Sequence, residues 1–415
     1  MRYQKSLIIG GFFLLVSWVN LSEAQGFQVN FQGQKQQGMG CAGSALIQDA
    51  STLFFNPAGA AFVAKSQVNL AVTPIFGNVM YVDSSTNEVY RTENPVGTPL
   101  NVYALIKPKR FHRLAYGLSV TTPFGSTVQY EPGWIGRFAI TRLSMKVFHI
   151  QPTASFKITD NISIGAGFVL SPGSVNLQKD LPVQFNDGTF GHAEISGAAM
   201  GYGYNLGVYY NPGGFLSAGL SHRSGINMSV SDGQVAFTVP DGLTTNFPNG
   251  TLSASLALPS VTTLGLSIKP NASWNIVADI NYVGWNTYDT LAFDYAANTS
   301  SLVDTKSPRM YQNIFAFRGG AQYTVFAKDK VLNVRFGGGF GFSPVPTGYL
   351  TPETPDGNRA YFTSGISYEF NKRFSIDASI YATKVTRADT NLETQLSGTF
   401  TTIAWAPGIG INYNW

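Results

Sequence analysis

Several stretches of the chain alternate apolar and polar residues with a period of two. From residue 274 to 282, Trp274, Ile276 and Ile280 alternate with Asn275, Asp279 and Asn281. The same alternation places Arg335 and Asp377 among polar residues opposite an apolar row. Because successive side chains of a strand point to opposite faces, these stretches predict β-strands with one apolar face and one polar face.

The number of such stretches predicts a large sheet. Turn sequences such as "SDGQ" and "PDGN" separate about fourteen or fifteen strand-like runs from Gln67 to the end of the chain. Bacterial single-chain barrels have even strand numbers, so we predict fourteen. The extra run, near 229–239 or 251–258, would then belong to a long external loop.

The composition indicates which face of the strands contacts lipid and which contacts the polar lumen. Only 12% of the 415 residues are charged, about half the usual share of about 25%. If the apolar faces meet lipid, Asp279, Arg335 and Asp377 point into a lumen, where charge is tolerated. A soluble sandwich with the faces reversed is the alternative. We therefore predict an all-β fold, a transmembrane antiparallel β-barrel.

Both ends of the chain favour the outer membrane of a bacterium. Arg2 and Lys5, an apolar run over 7–19 and small residues before position 25 are typical of a signal peptide, which we assign to residues 1–24. At the other end, Gly410, Tyr413 and Trp415 form a pattern that resembles the terminal-strand signal read by the barrel-assembly machinery.

The segment between the signal peptide and the first strand does not alternate. It is rich in Gln, Gly, Ala and Ser, and a barrel leaves it few places except its own lumen. We assign residues 25–64 to an N-terminal hatch, or plug, with short helices and residues 65–415 to the barrel. Asn56 is a good N-cap and Pro57 suits the first helical position, so a short helix is expected to start there and include Ala58.

Four ordered blocks of sequence resemble the FadL/TodX family of outer-membrane channels for long-chain fatty acids and other hydrophobic compounds. They are "GFQVNFQGQKQQGMGCAGSALIQDASTLFFNPAG", "TPFGSTVQYEPGWIGRF", "ALPSVTTLGLSIKPNASWNIVADINYVGW" and "RFGGGFGFSPVPTGYLTPETPDGNRAYFTSGISYEF". Together they cover nearly the whole mature chain. The regions 175–200 and 294–308 differ from the family pattern, and these loops help to shape the ligand entrance in the family.

The resemblance implies a fourteen-stranded barrel in which ligand passes from an external groove to a lumenal pocket. Movement of the first hatch residues would then release it sideways through an opening at a strand kink. We assign that movement to Gly26, Phe27 and Gln28, which follow the cleavage site, while Asn56, Pro57 and Ala58 would hold the hatch in shape. The alternative is an outer-membrane porin or a surface adhesin or antigen without hydrophobic-ligand transport.

Recognition of a ligand carboxylate would need a cation near an apolar pocket. The candidates are Lys179, Lys306, Arg309 and Arg318, each of which could instead be a solvated charge or a contact to lipopolysaccharide phosphates. A lumenal charge network is expected to join Arg137, Arg335 and Arg359 to Asp279 and Asp377.

Other functions find little support in the residues. The net charge is +4, or +3 without Arg2, Lys5 and Glu23, which is too small to indicate a nucleic-acid partner. The histidines lack metal-ligand spacing, and a Ser/His hydrolase around His222 has no supporting motif. We expect a non-enzymatic monomer without metal or cofactor, whose partners are a hydrophobic ligand, outer-membrane lipids, lipopolysaccharide and the barrel-assembly machinery.

Overall fold

The computed structural model describes residues 26–328 and 330–415, so the proposed signal peptide lies outside the described residues. The strands in this part of the chain are β1 (Gln67–Val72), β2 (Phe76–Asp83), β3 (Val89–Arg91), β4 (Leu100–Ile106), β5 (Leu114–Gln129), β6 (Arg142–Lys157), β7 (Ile162–Gln184), β8 (Phe190–Tyr210), β9 (Leu216–Arg223), β10 (Ile226–Thr238), β11 (Gly250–Leu258), β12 (Ser260–Asn271), β13 (Trp274–Gly284), β14 (Thr290–Tyr295), β15 (Thr305–Pro308), β16 (Ile314–Ala327), β17 (Lys330–Gly341), β18 (Arg359–Glu369), β19 (Phe374–Thr390) and β20 (Ser397–Asn414).

Fourteen of these strands close into an antiparallel barrel. The order around the wall is β1, β4, β5, β6, β7, β8, β9, β12, β13, β16, β17, β18, β19 and β20. The barrel closes where β1 pairs with β20, from Gln67 opposite Asn414 to Val72 opposite Ile409. The prediction of fourteen strands is confirmed.

The six remaining strands lengthen the wall on the side away from the C-terminus. β2 continues the line of β1 along β20, and β10 continues the line of β9 along β8. β10 also pairs with β11, and β11 pairs with β14. Both runs that the sequence offered for an external loop, 229–239 and 251–258, are therefore ordered strands beyond the fourteen.

The two faces of the wall have the predicted polarity. Along β13, Ile276, Ile280 and Tyr282 are exposed on the outside, while Asn275 and Asp279 are buried on the inside. Arg335 and Asp377 are buried in the lumen as well. An apolar outer face with a polar inner face is the pattern that a lipid environment requires.

The lumen is filled by the N-terminal part of the chain. It contains two short α-helices, α1 (Gln34–Gln37) and α2 (Thr52–Phe55), followed by a 3₁₀ helix over Pro57–Phe62. Nearly all residues from 31 to 46 are buried. These short helices are consistent with the predicted hatch, whose bounds of 25–64 stay a prediction. Within the described residues, no helix is both long and apolar enough to cross a membrane.

Candidate functional site

Strand β5 lacks its neighbour along part of its length. Its ladder with β4 stops where Val102 faces Val120, and its register against β6 shifts between Thr121 and Phe124. Pro123 lies in this irregularity, and its ring fixes the backbone and removes a donor. The wall of the barrel is consequently incomplete between β4 and β5 from Thr121 onward along β5.

Residues 26–30, here called the N-terminal segment, take the place of the missing neighbour. The Val29 N–H donates to the Pro123 carbonyl at 2.8 Å, and the Gly125 N–H donates to the Phe27 carbonyl at 3.1 Å. Gln28 and Phe124 thus form an isolated antiparallel bridge. The segment satisfies backbone groups of β5 from inside the lumen.

A side opening of about 340 Å³ lies in the wall beside this bridge. Residues 94–100 line it on one side, and residues 122–127 of β5 line it on the other. At its lower edge the Thr122 hydroxyl both accepts from the Leu100 N–H and donates to the Leu100 carbonyl, each at 3.0 Å. On its inner side the opening reaches Val29 of the N-terminal segment.

An apolar cavity of about 100 Å³ lies in the lumen on the other side of the N-terminal segment. Its lining residues come from β6, β7, β8, β10, β11 and β14 and from two loops. They are Phe27, Leu143, Met145, Val147, Gly173, Ser174, Val175, Leu177, Ile195, Ala199, Met228, Val230, Ala254, Ser255, Leu256, Tyr288, Leu291, Phe293, Glu353 and Thr354. The volume is of the order of the ~150 Å³ apolar cavity known to bind benzene.

Phe27 lines the cavity and contacts Phe124 of the side opening, and Met145 lines both spaces. Its ring packs edge-on against Trp285 at 4.8 Å, Tyr288 at 5.8 Å and Phe124 at 6.2 Å between ring centroids. Only 5% of its surface is exposed. Phe27 and Tyr288 line the cavity, whereas Phe124 lines the side opening.

Asp356 holds the beginning of the N-terminal segment. Its Oδ2 accepts the Gly26 N–H and the Ser343 hydroxyl, both at 3.1 Å. Burial raises the pKa of Asp356 to about 6, against the opposing influence of Arg359 and these hydrogen bonds.

A groove of about 170 Å³ lies above the cavity, between the extended strands and residues 301–305. Leu177 and Ile195 line both the groove and the cavity. The groove and the cavity therefore share a wall made by the β7–β8 hairpin. This hairpin lies in the region 175–200 that departs from the family pattern.

The four cations considered for a ligand carboxylate occupy different places. Lys179 lines the outer groove, with Glu393 and Glu353 within electrostatic range. Lys306 is exposed on β15. Arg309 and Arg318 are already engaged by protein groups, as follows.

Arg309 forms an ion pair with Glu353, with Nη2 to Oε1 at 2.8 Å. Burial alone would lower the pKa of Arg309, but Glu353, Tyr288 and Tyr311 together outweigh burial and raise it. Arg318 donates to the Asn30 side chain at 2.9 Å and to the Cys41 carbonyl at 3.3 Å. It lines a separate polar pocket of about 60 Å³ beneath the N-terminal segment.

The predicted lumenal charges mostly attach the hatch to the wall. Asp279 accepts the N–H groups of Gly43 at 2.7 Å and Ser44 at 3.1 Å. Arg335 lies 3.9 Å from Asp377 and is bridged to it by the Ser367 hydroxyl. The Asp279 contacts fix the hatch, and the Arg335–Asp377 pair joins strands of the lumenal wall.

Two arginines depart from the expected network. Arg359 lies beside Asp356 near the N-terminal segment. Arg137 is not in the lumen: it lies in the loop between β5 and β6, with its guanidinium 4.8 Å from Phe138 and 4.7 Å from Phe190. Because the Arg137 guanidinium contacts two aromatic rings and nearby backbone carbonyls, it is stabilised without a lumenal carboxylate.

Asn56, Pro57 and Ala58 join the hatch to strands β7 and β8. The Asn56 amide donates to the Ser44 carbonyl at 3.0 Å and the Val208 carbonyl at 3.1 Å, and its oxygen accepts the Ala58 N–H at 3.1 Å. Asn56 thus caps the 3₁₀ helix that Pro57 begins. A Cβ on Gly207 would lie 2.1 Å from the Asn56 Oδ1, so this close approach requires glycine.

The C-terminal strand presents the predicted pattern to the outside. Tyr413 and Trp415 are about half exposed, and their rings stack at 6.1 Å. Gly410 instead faces inward, where a Cβ would lie 3.0 Å from the Gln34 side chain of the hatch. The glycine therefore makes room for the plug.

Sequence reasoning missed Glu353, Asp356, Trp285 and Tyr288 as site residues. All four lie in irregular segments, where hydrophobic periodicity carries no information. The one available signal is that Glu353 and Asp356 each follow a proline in the fourth family-like block and that Trp285 ends the third. Only the fold brings them to Phe27.

Comparison with known proteins supports the fold and defines the family. A family model described as outer membrane protein transport protein (OMPP1/FadL/TodX) matches residues 14–415. A putative outer membrane protein of Neisseria meningitidis serogroup B is 24% identical over 402 residues, with 86% of this chain and 85% of the relative covered. The long-chain fatty acid transport protein of Escherichia coli K12 is 21% identical over 403 residues, covering 86% of each chain.

Solved structures show the same architecture. A FadL homologue of Pseudomonas aeruginosa superposes with a TM-score of 0.79 at 20% identity, covering 94% of this chain and 100% of the other. The toluene transporter TodX of Pseudomonas putida gives a TM-score of 0.71 at 16% identity, with 95% and 99% covered. Because the family model spans nearly the whole chain, this protein belongs to the OMPP1/FadL/TodX family of outer-membrane transport proteins.

Proposed function

We propose that this protein is a passive channel through which hydrophobic molecules cross the outer membrane. A ligand enters the outer groove, moves into the apolar cavity and leaves sideways through the opening between β4 and β5. The observation that carries the proposal is the position of Phe27, which lines the cavity and packs against Phe124 of the side opening.

The physical reason for such a route is the cost of hydrating apolar surface. Each methylene or equivalent group gains about 0.8 kcal/mol when it leaves water. A path that runs from groove to cavity to lipid keeps the ligand in apolar surroundings throughout. The similar proteins described above include transporters of long-chain fatty acids and of toluene, and both kinds of ligand are largely apolar.

The lateral exit requires the N-terminal segment to move. In the closed position residues 26–29 are held by two backbone hydrogen bonds to β5, the Gly26–Asp356 contact and the Phe27 ring. The end of the segment is also held by Gln32, which donates to the Val29 carbonyl, and by Arg318, which donates to Asn30. The hatch behind it stays attached through Asn56 and Asp279. We therefore propose that residues 26–28 move while the hatch stays in place.

A reversible disulfide tests this exit directly. Gln28 and Phe124 face each other as a non-hydrogen-bonded pair, for which Cα atoms lie about 4.5 Å apart, within disulfide range. The double variant Gln28→Cys, Phe124→Cys should transport hydrophobic substrates when reduced and stop when oxidised. The two single variants are the controls, and native Cys41 is buried. Undiminished transport by the oxidised double variant would contradict the lateral exit.

Ion conductance tests the plug. The intact protein in planar bilayers should show little steady conductance, because residues 31–62 occupy the lumen. Deletion of residues 25–64 should raise it. A large conductance of the intact protein would favour the porin alternative.

A further inference from the structure

The wall of the apolar cavity carries a single ion pair. Among the described residues that line the cavity, Glu353 is the one carboxylate, and no lysine, arginine or histidine reaches the surface. The other polar contributions are the hydroxyl groups of Ser174, Ser255, Thr354 and Tyr288. Any charged ligand in this cavity would therefore meet Glu353 first.

Arg309, the cation next to Glu353, is already paired with it. The Arg309 Nη2 lies 2.8 Å from the Glu353 Oε1, and the two side chains are 9% and 15% exposed. Such a buried pair is close to neutral as a unit, and its partners satisfy each other. Arg309 cannot serve a ligand carboxylate without first leaving Glu353 uncompensated.

The remaining cations cannot replace Arg309. Lys179 lines the outer groove rather than the cavity, and Lys306 is exposed. Arg318 lies in the polar pocket on the far side of the N-terminal segment, where it holds Asn30 and Cys41. An anionic headgroup that entered the cavity would lose its hydration without gaining a partner.

We propose that the cavity selects uncharged hydrophobic molecules of about the size of a single benzene ring, and that Glu353 is the residue that excludes carboxylates. This inference rests on the proposed function, because it concerns the ligand class of the same cavity. Glu353 acts in two ways: it repels an anion directly, and it keeps Arg309 neutralised.

Three matched ligands distinguish the possibilities: 4-fluorotoluene, 4-fluorobenzoate and 4-fluorobenzylamine, which is a cation near neutral pH. Binding to protein in lipid nanodiscs is followed by fluorine NMR, with empty nanodiscs as the reference for partition into lipid. The variant Ala199→Trp places a bulky side chain on the cavity wall and identifies the signal that comes from the cavity. Thermal unfolding checks that each variant is folded.

The wild-type cavity should bind 4-fluorotoluene at least about tenfold more tightly than the benzoate or the amine, a tenfold ratio being about 1.4 kcal/mol. Glu353→Gln keeps a hydrogen-bond acceptor for Arg309 but leaves its charge uncompensated. It should tighten benzoate binding about tenfold or more and change toluene binding by less than about threefold. The exposed Glu93→Gln is the matched control and should change neither.

Two results overturn the inference while leaving the proposed function intact. One is equal binding of benzoate and toluene by the wild-type protein. The other is benzoate binding that Glu353→Gln does not improve. Preferential binding of the amine would also refute it, since Glu353 would then attract rather than exclude. If no ligand gives a signal that Ala199→Trp abolishes, the proposed function itself fails, and the inference falls with it.

Discussion

Removal of the Phe27 ring should loosen the N-terminal segment selectively. The ring is 5% exposed and packs edge-on against Trp285, Tyr288 and Phe124. Phe27→Ala removes this burial and these aromatic contacts, which together stabilise the closed position by about 2–3 kcal/mol. The population with the segment detached should therefore rise roughly 30- to 150-fold, at about 1.4 kcal/mol per factor of ten.

Amide hydrogen exchange measures this population at the right atoms. The Val29 N–H and the Gly125 N–H are bonded only across the bridge between the segment and β5. Both should exchange faster in Phe27→Ala by the factor given above, because exchange requires local opening. The amides of the β5–β6 ladder below Thr121 should keep their wild-type protection.

A second phenylalanine in the hatch provides the control. Phe31 is 7% exposed and packs against Tyr381 at 4.9 Å, away from the cavity lining. Phe31→Ala should lower the melting temperature but leave Val29 and Gly125 protected. Unchanged exchange in Phe27→Ala, or an equal increase in both variants, would refute the idea that the Phe27 ring closes the route.

Three further predictions concern the attachments of the plug and the barrel. Because burial raises the pKa of Asp356 to about 6 from 3.8, although its hydrogen bond from Gly26 opposes the rise, the folded protein is most stable below the lower value and loses up to about 3 kcal/mol as the pH rises through 6; the melting temperature followed against pH should show this loss, and Asp356→Asn should abolish it. Asn56→Ala leaves two buried carbonyls without their donor and should lower the free energy of unfolding by about 2–5 kcal/mol, whereas Pro57→Ala, which removes no hydrogen bond, should cost under about 1 kcal/mol in the same denaturation assay. Deletion of Trp415 should reduce the amount of folded barrel in outer-membrane fractions without changing ligand binding by the assembled protein, and normal assembly would argue against its role as a signal.

The barrel could be predicted from sequence because one physical rule acts on every wall strand. Lipid outside and polar groups inside force alternation, so Ile276 and Ile280 point outward while Asp279 points inward. The hatch could be predicted by elimination, because a segment without alternation does not fit the barrel wall. The start of a short helix at Asn56 and Pro57 could also be predicted, because capping is a local property of the chain.

The interior of the site could not be predicted in the same way. Arg309 and Glu353 are 44 residues apart in two irregular loops, and no periodic rule relates them. The sequence therefore offered Arg309 as a free cation, although its partner neutralises it. Arg137 shows the same limit, since only the fold places Phe190 against its guanidinium.

The hydrogen-bond requirement of β5 explains why an incomplete wall can remain closed. A backbone group that faces an apolar environment without a partner costs several kcal/mol, and Pro123 and Gly125 have lost β4 as a neighbour. The N-terminal segment supplies that partner and also carries the Phe27 ring, which lines the cavity and packs against Phe124 of the side opening. In the proposed route, release of ligand and exposure of these backbone groups are the same event. A ligand that replaces the contacts of Phe27 lowers the cost of that event, whereas an ion, which gains nothing from an apolar cavity, does not.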